Sequence, residues 1–448
     1  MLDPPFVKFR RQFNVDSPMT ANHWILKYLP ESLRGAPDQK VYFLLAGCVS
    51  LVLVSIAVSQ ILLAGAIAGL VWLARKHKKI IRFDIRILLP LLVLVGWTLI
   101  AAFASSNVSL SLTGSKRFYL FLLVPIVPLV LYGKDRVSWI YKAIFVVAVI
   151  SSLRGLAQFA ANPDRDLLHR ITGFMSQWMT FSGLLMLALV LLISYGLTEG
   201  IRKHKWIIPA AFCIVLALLL SQTRNAWMGA IAGVTILVLM QRPRAFIVLL
   251  AAVLACYFLS PATRQRVKSG MDPNDPNTKN RIELFQTSLR LIRDNPYFGV
   301  GPKNVKHEAL KYRGDNNHYP DWMYQHMHNN LLQIAAETGI PGLLIWLWFM
   351  VRLAWDSLGC YRFAKSRLFP EDESTRREAL MASSAALASW AALMVAGMAE
   401  YNFGDSEVLT LFLFIMSAPY VFTAPRASVP HPAPEEQQLV ADGTLGGN

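Results

Sequence analysis

Residues 179–197 read MTFSGLLMLALVLLISYGL, nineteen in a row without a charged side chain. At about 1.5 Å per residue, a helix of that length nearly covers the roughly 30 Å hydrocarbon core of a bilayer. In lipid every backbone N–H and C=O must be paired, and an α-helix does this within its own segment. The pattern recurs along the chain. The run 41–74 is long enough for two short helices turning near Ser59 and Gln60. Further runs cover about 87–104, 118–132, 138–160, 206–221, 226–241, 245–260, 341–360, 379–399 and 407–423. A helix apolar all round must be buried or sit in lipid, and a soluble core cannot hide this many. Composition agrees: 54% of the 448 residues are hydrophobic and 16% charged, where a soluble domain carries about a quarter charged. The expected fold is an all-α integral membrane protein of about twelve transmembrane helices.

Basic residues collect in alternate short loops. Arg75, Lys76, Lys78, Lys79 and Arg82 share one; Lys134 and Arg136, then Arg202, Lys203 and Lys205, then Arg242 and Arg244 fill others. Arg362, Lys365, Arg367, Arg376 and Arg377 fill the last. The positive-inside bias puts these loops and both termini in the cytoplasm. Residues 1–40 are polar, basic and proline-containing, and are expected to be a retained cytoplasmic segment. The membrane domain spans 41–423. Residues 424–448, rich in Pro, Ala and Gly, are expected to be a disordered cytoplasmic tail.

The other face is then built from 105–117, 161–178, 221–225, about 261–340 and 400–406. The long external loop, about 261–340, holds eleven Lys/Arg against eight Asp/Glu. Long loops translocate largely regardless of charge, so its basic character needs a reason other than topology. The net charge of +16 points to anionic lipid headgroups, with no nucleic acid partner. Within the loop, Ile282, Phe285, Leu289 and Ile292 recur at three- and four-residue steps, predicting an amphipathic helix over Lys279–Arg293 that lies along the membrane surface. Asn295-Pro296 ends it and Gly299 and Gly301 turn the chain. A second helix is predicted from Met327 to Thr338, stopped by Gly339, with Pro341 opening the next span.

Four features of this face carry candidate chemistry. His328-Asn329 is followed after nine residues by Gly339 and then by Gly342. In the first turn of a helix, His328 would feel the positive end of the dipole, which favours the neutral imidazole that accepts a proton. Arg224 lies in the turn Ser221-Gln222-Thr223-Arg224-Asn225, where a guanidinium can fork onto phosphate. Arg281 opens the amphipathic helix. His169 and Arg170 share a loop with Gly173 and Gln177. Read singly, each has a plainer role: a capping or packing histidine, a snorkelling arginine, solvated loop charges. His307, His318, His326 and His328 cluster in sequence without a zinc-site spacing, so no metal is expected. The cysteines Cys48, Cys213, Cys256 and Cys360 read as small buried apolar residues.

Taken together, His328-Asn329-x9-Gly339-x2-Gly342, Asn280-Arg281, Gly299-x-Gly301 and Thr223-Arg224 in an external turn resemble the O-antigen ligase and polymerase superfamily, over about residues 41–423. The chain looks most like an O-antigen ligase. That resemblance implies a metal-independent, inverting membrane glycosyltransferase without cofactor, working on the periplasmic face of the bacterial inner membrane. Its donor would be a polysaccharide on undecaprenyl diphosphate and its acceptor a sugar hydroxyl of lipid A-core, in lipopolysaccharide assembly. By resemblance, His328 is the essential histidine, Arg224 and Arg281 the essential arginines, and Arg170 a further diphosphate-binding position. Asn329, Gly339 and Gly342 are the motif's structural members. O-antigen polymerases and protein O-oligosaccharyltransferases share the superfamily and stay open as alternatives. From a different class, a transporter for lipid-linked glycans would call for polar residues deep in the membrane. Most charged residues here fall at span ends, with Arg154 the ambiguous one.

Overall fold

The computed structural model describes residues 30–33, 36–76, 85–133, 135–162, 170–313, 320–370 and 372–423. Among them there is no strand. The expected terminal segments up to residue 29 and from 424, and His169 and His318, lie outside the described residues.

Among the described residues, seven helical segments are long and apolar enough to cross a bilayer: Ile56–Lys76, Val108–Val130, Arg136–Ala161, Trp178–Glu199, Asn330–Lys365, Glu373–Ala396 and Ser406–Thr423. The chain is therefore a multi-pass membrane protein. Five of the twelve expected runs fall outside this count: three short helices, one bent pair, and the 18-residue Arg224–Gln241, which carries a charged residue at its start. Gln39–Leu51, Leu88–Phe103 and Ile207–Leu220 are apolar but short; the first, at 13 residues, rises only about 20 Å. Pro243–Leu259 and Thr263–Met271 form a pair bent by 92°, which is at most one broken span.

In chain order the elements are α1 (Gln39–Leu51), α2 (Ile56–Lys76), α3 (Ile85–Phe103), α4 (Val108–Ser115), α5 (Leu123–Val130), α6 (Arg136–Ala161), α7 (Trp178–Glu199), α8 (Ile207–Leu220), α9 (Arg224–Gln241), α10 (Phe246–Leu259), α11 (Pro261–Met271), α12 (Pro276–Asp294), α13 (Asn330–Lys365), α14 (Glu373–Ala396) and α15 (Ser406–Ser417). The core is the packing of α7, α9 and α14. The opening run, now α7, is buried along almost its whole length. α9 presents Gly229 and Gly233 to the Ala392 and Ala388 carbonyls of α14, where a Cβ would meet backbone. Small residues let membrane helices approach this closely. The packing has a positional consequence: α7 and α9 begin, and α14 ends, at one end of the bundle. At the other end Arg377 pairs with Glu199 at 3.7 Å, and the Tyr361 hydroxyl donates to the Met240 carbonyl.

The amphipathic helix is α12, somewhat longer than predicted. Its Leu284, Thr287, Ser288 and Leu291 pack inward, while Ile282, Phe285 and Leu289 stay about half exposed. The helix expected at Met327 begins at Asn330 and runs on through Pro341, broken only at Gly339 with φ 74°. The stop predicted there is real as backbone geometry. A side chain at Gly339 would drive into the Tyr297 carbonyl. Instead, Ile340 N–H donates to Pro296, Val300 N–H to Ala336 and Gly301 N–H to Glu337. The segment 296–301 thus caps the broken helix. Gly342 leaves room for the Thr338 side chain and lies against Trp97.

Candidate functional site

The loops at the end of the bundle where α9 begins bring the candidate residues together. Asn329 caps α13: its Oδ1 accepts from Leu332 N–H at 3.1 Å and its Nδ2 donates to the Met398 carbonyl at 2.8 Å. Next to it, Asn330 N–H donates to the Gly397 carbonyl at 2.7 Å. This stitches the start of α13 to the loop after α14. Helix caps of this kind satisfy donors that the helix itself cannot.

His328 lies outside the helix, two residues before its first helical residue, with φ 45°. The expected place in the first helical turn is therefore corrected, and the dipole argument with it. What faces the imidazole is a carboxylate. His328 Nδ1 lies 3.0 and 3.2 Å from the two oxygens of Glu400, a residue buried between α14 and α15. Burial alone would raise the Glu400 carboxyl, but the hydrogen bond and charge of His328, with His326, hold it below the usual carboxylate range. An ionised Glu400 accepts from Nδ1–H and leaves His328 Nε2 as the proton acceptor, the logic by which a carboxylate fixes an imidazole tautomer. His326 Nε2 sits 3.5 Å from the same carboxylate. Burial, then the neighbouring His328, pushes His326 down to about 4, against the pull of Glu400.

Behind this trio is a buried polar frame. Glu337 accepts from Gln333 Nε2 at 2.9 Å and from Lys303 N–H at 3.1 Å, and pairs with Arg117 at 3.4 Å. Arg117 also donates to the Tyr401 hydroxyl at 2.6 Å, and Gln333 Oε1 accepts from Met327 N–H at 2.8 Å. Residues flanking both His328 and Glu400 are thus held by one network, which favours a single geometry.

The guanidinium groups form the other half of the site. Arg224 is the first residue of α9; its Nη1 donates to the Arg266 carbonyl and the Ser269 hydroxyl of α11, both at 3.3 Å. Arg266 Nε donates back to the Gln222 carbonyl at 3.3 Å. Arg281, on α12, makes no hydrogen bond to the described residues; burial lowers its affinity for the proton, Glu400 opposes this and Arg224 adds to it. Arg170 packs over the Trp178 ring at 5.0 Å and is lowered by burial and by Arg224. Arg266 is pushed down to about 10 by burial, then by Arg224 and Arg170, with Asp275 opposing and Arg281 adding. Arg224 and Arg266 thus each act on the other guanidiniums, and Glu400 acts on both Arg281 and the imidazole.

All four charged candidates, His328, Arg224, Arg281 and Arg170, fall in this neighbourhood. Glu400, Arg266 and Trp178 are not singled out by the sequence, and His326 only as one of the four clustered histidines. The usable signal for Glu400 was an acid in a short loop between two apolar runs, since a buried charge needs a partner. Ligand atoms of His326, His328 and Glu400 lie within 4.8 Å of one another and could hold a metal ion. Of the four clustered histidines, His326 and His328 contribute to that group.

Compared with family models, residues 209–347 match the one described as O-antigen ligase. The match includes Arg224, Arg266, Arg281, His328, Asn329, Gly339 and Gly342 and leaves Arg170 and Glu400 outside. No curated protein matches the chain. Residues 209–347 thus resemble an O-antigen ligase family domain, in agreement with the resemblance carried by the sequence motifs.

Proposed function

We propose that this protein is an O-antigen ligase: it transfers a polysaccharide from undecaprenyl diphosphate to a sugar hydroxyl of lipid A-core, on the periplasmic side of the inner membrane. The observation that carries the chemistry is His328 Nδ1 held by Glu400 at 3.0 Å within reach of the field of four guanidiniums. A sugar hydroxyl is a poor nucleophile until its proton is removed, and His328 Nε2 is the base for that step. The acceptor oxygen bonds to the anomeric carbon as the bond from that carbon to the diphosphate oxygen breaks. Its electron pair leaves with the diphosphate, and attack from the opposite side inverts the centre. Arg224 and Arg281, joined by Arg170, stabilise the charge that develops on the leaving group. Fixed positive groups aimed at that charge need no reorganisation during the reaction.

The choice of ligase over polymerase rests on the acceptor. Reconstitution with undecaprenyl-diphosphate-linked glycan and two acceptors, lipid A-core and a second lipid-linked glycan, tests it. Glycan on lipid A-core is the expected product; extended lipid-linked glycan makes the protein a polymerase, and glycan moved without transfer makes it a transporter. The grouping of His326, His328 and Glu400 favours a second reading, in which a divalent ion on those residues assists the reaction. Activity that survives EDTA supports the arginine mechanism. Activity lost to EDTA and restored by one divalent ion supports the metal.

A further inference from the structure

None of the described side chains of α10 or α11 is buried. Burial of apolar surface therefore contributes little to holding α11 where it lies. Its contacts with the turn before α9 are polar and run in both directions. Arg224 Nη1 donates to the Arg266 carbonyl and the Ser269 hydroxyl, and Arg266 Nε donates to the Gln222 carbonyl, all at 3.3 Å. Thr278, at the start of α12, donates its hydroxyl to the Ser269 carbonyl at 3.3 Å. The last turn of α11 is thus tied to α12 on one side and carries the Arg224 guanidinium on the other.

That turn contains a glycine with no backbone reason to be one. Gly270 is helical and its φ is not positive, so alanine would form the helix better. A Cβ there would run into Arg224 Nη1 and lie 3.1 Å from Arg224 Cζ and 3.6 Å from its Cδ. The guanidinium rests against bare backbone, in the space that any other residue would fill. Its Nη1 is taken up by α11, while Nε and Nη2 make no hydrogen bond to the described residues. Those two nitrogens form one planar edge of the guanidinium, a two-donor fork suited to an oxyanion.

We infer that the end of α11 is a seat for Arg224, with Gly270 and Ser269 as positioning residues: the missing side chain admits the guanidinium, the hydroxyl anchors Nη1, and the Nε–Nη2 edge stays free for the donor. The inference rests on the reading in which Arg224 meets the leaving group, and adds to it what aims that residue. A free arginine side chain samples many rotamers. One seated beforehand meets the developing charge without reorganising, which is where fixed donors gain their effect.

The test compares Gly270→Ala, Ser269→Ala, Arg224→Ala and the Gly270→Ala/Arg224→Ala double variant as full chains in lipid nanodiscs. The readout is undecaprenyl diphosphate released from undecaprenyl-diphosphate-linked glycan, with lipid A-core or a second lipid-linked glycan as acceptor. Ligase and polymerase chemistry both release it. Gly270→Ala should slow release about ten- to 100-fold, since a misplacement of about 1 Å can cost 10²-fold. Its melting temperature should not fall, because alanine favours the helix and the atom in its way ends a flexible side chain. Ser269→Ala, which loses one neutral hydrogen bond, should slow release about two- to tenfold. The double variant should be no slower than Arg224→Ala alone, because a seat matters only while its occupant is present. Near-normal release by Gly270→Ala beside a slow Arg224→Ala overturns the seat and leaves the role of Arg224 standing. A Gly270→Ala loss that multiplies with that of Arg224→Ala also overturns it, since that marks a general structural role. Normal release by Arg224→Ala overturns the reading of Arg224 itself, and the seat falls with it.

Discussion

His328 occupies a left-handed backbone conformation, φ 45°, that costs a non-glycine residue about 1–2 kcal/mol. The residue is kept there by Glu400 in front and by the Asn329 cap behind, and the conformation is what lifts its side chain out of α13 toward the loop after α14. If its Nε2 is the base, His328→Ala should lose about 10²–10⁴-fold in transfer and retain donor binding, because the phosphate contacts belong to the arginines. Single-turnover rates and donor affinity on the same purified variant separate the two. Near-normal transfer removes the base assignment, and loss of donor binding makes the histidine a phosphate or structural contact. Glu400→Gln should cost roughly 10²-fold or more in turnover, since an amide can present the wrong group to Nδ1. Arg281→Lys keeps the charge and loses the planar fork, so turnover should fall at least about tenfold in a folded protein.

His326 supplies a pH test at the same scale. Its folded-state value, about 4, lies below its ordinary 6.5, so the unfolded chain binds more protons between those values. Stability should therefore be undiminished by His326 above about pH 6.5 and fall as the pH drops toward 4. His326→Gln removes this component. Thermal unfolding in detergent from pH 4 to 8 should show a shallower acid-side loss for the variant than for the parent. Equal slopes would place the acid sensitivity elsewhere.

At the scale of elements, the apolar runs were legible because lipid imposes one rule on every backbone group, and the break at Gly339 because glycine with a following proline marks a helix end. The number of crossings was less legible. Hydropathy registers α1 and α8 as strongly as longer helices, and only length in the folded chain separates them. The basic residues of the site were legible as isolated arginines in turns. Their fourth member was not, because Arg266 resembles its neighbours Arg264 and Lys268 until α11 docks on the turn before α9. Gly339→Ala should destabilise the protein by about 2 kcal/mol or more, since it adds left-handed strain and drives a Cβ into the Tyr297 carbonyl. Gly200→Ala is the control, because Gly200 has φ 94° and open space around its missing side chain. A shift in melting temperature no larger for position 339 than for position 200 would mean that the 296–301 cap is not what the glycine serves.

At the scale of the molecule, two ends of one bundle differ in kind. One gathers His328, Glu400 and the four arginines; the other gathers Arg202, Lys203 and Lys205, Arg242 and Arg244, and Arg362 and Lys365, each in or beside a short loop. Charge in short loops sets orientation, whereas charge in the long connection between α10 and α13 does not. The end with the short basic loops should therefore face the cytoplasm and the site the periplasm, where a carrier-linked polysaccharide and lipid A-core can meet. Asp272, in the turn between α11 and α12, and Lys203, between α7 and α8, are exposed reporters of the two ends. With Cys48, Cys213, Cys256 and Cys360 replaced, Asp272→Cys and Lys203→Cys give single thiols for a membrane-impermeant maleimide. In spheroplasts the thiol at position 272 should react and the one at 203 should react only after the membrane is opened. The reverse pattern would put the histidine and the arginines in the cytoplasm, where the proposed acceptor is out of reach, and the ligase reading would fall with the topology while the site geometry would not.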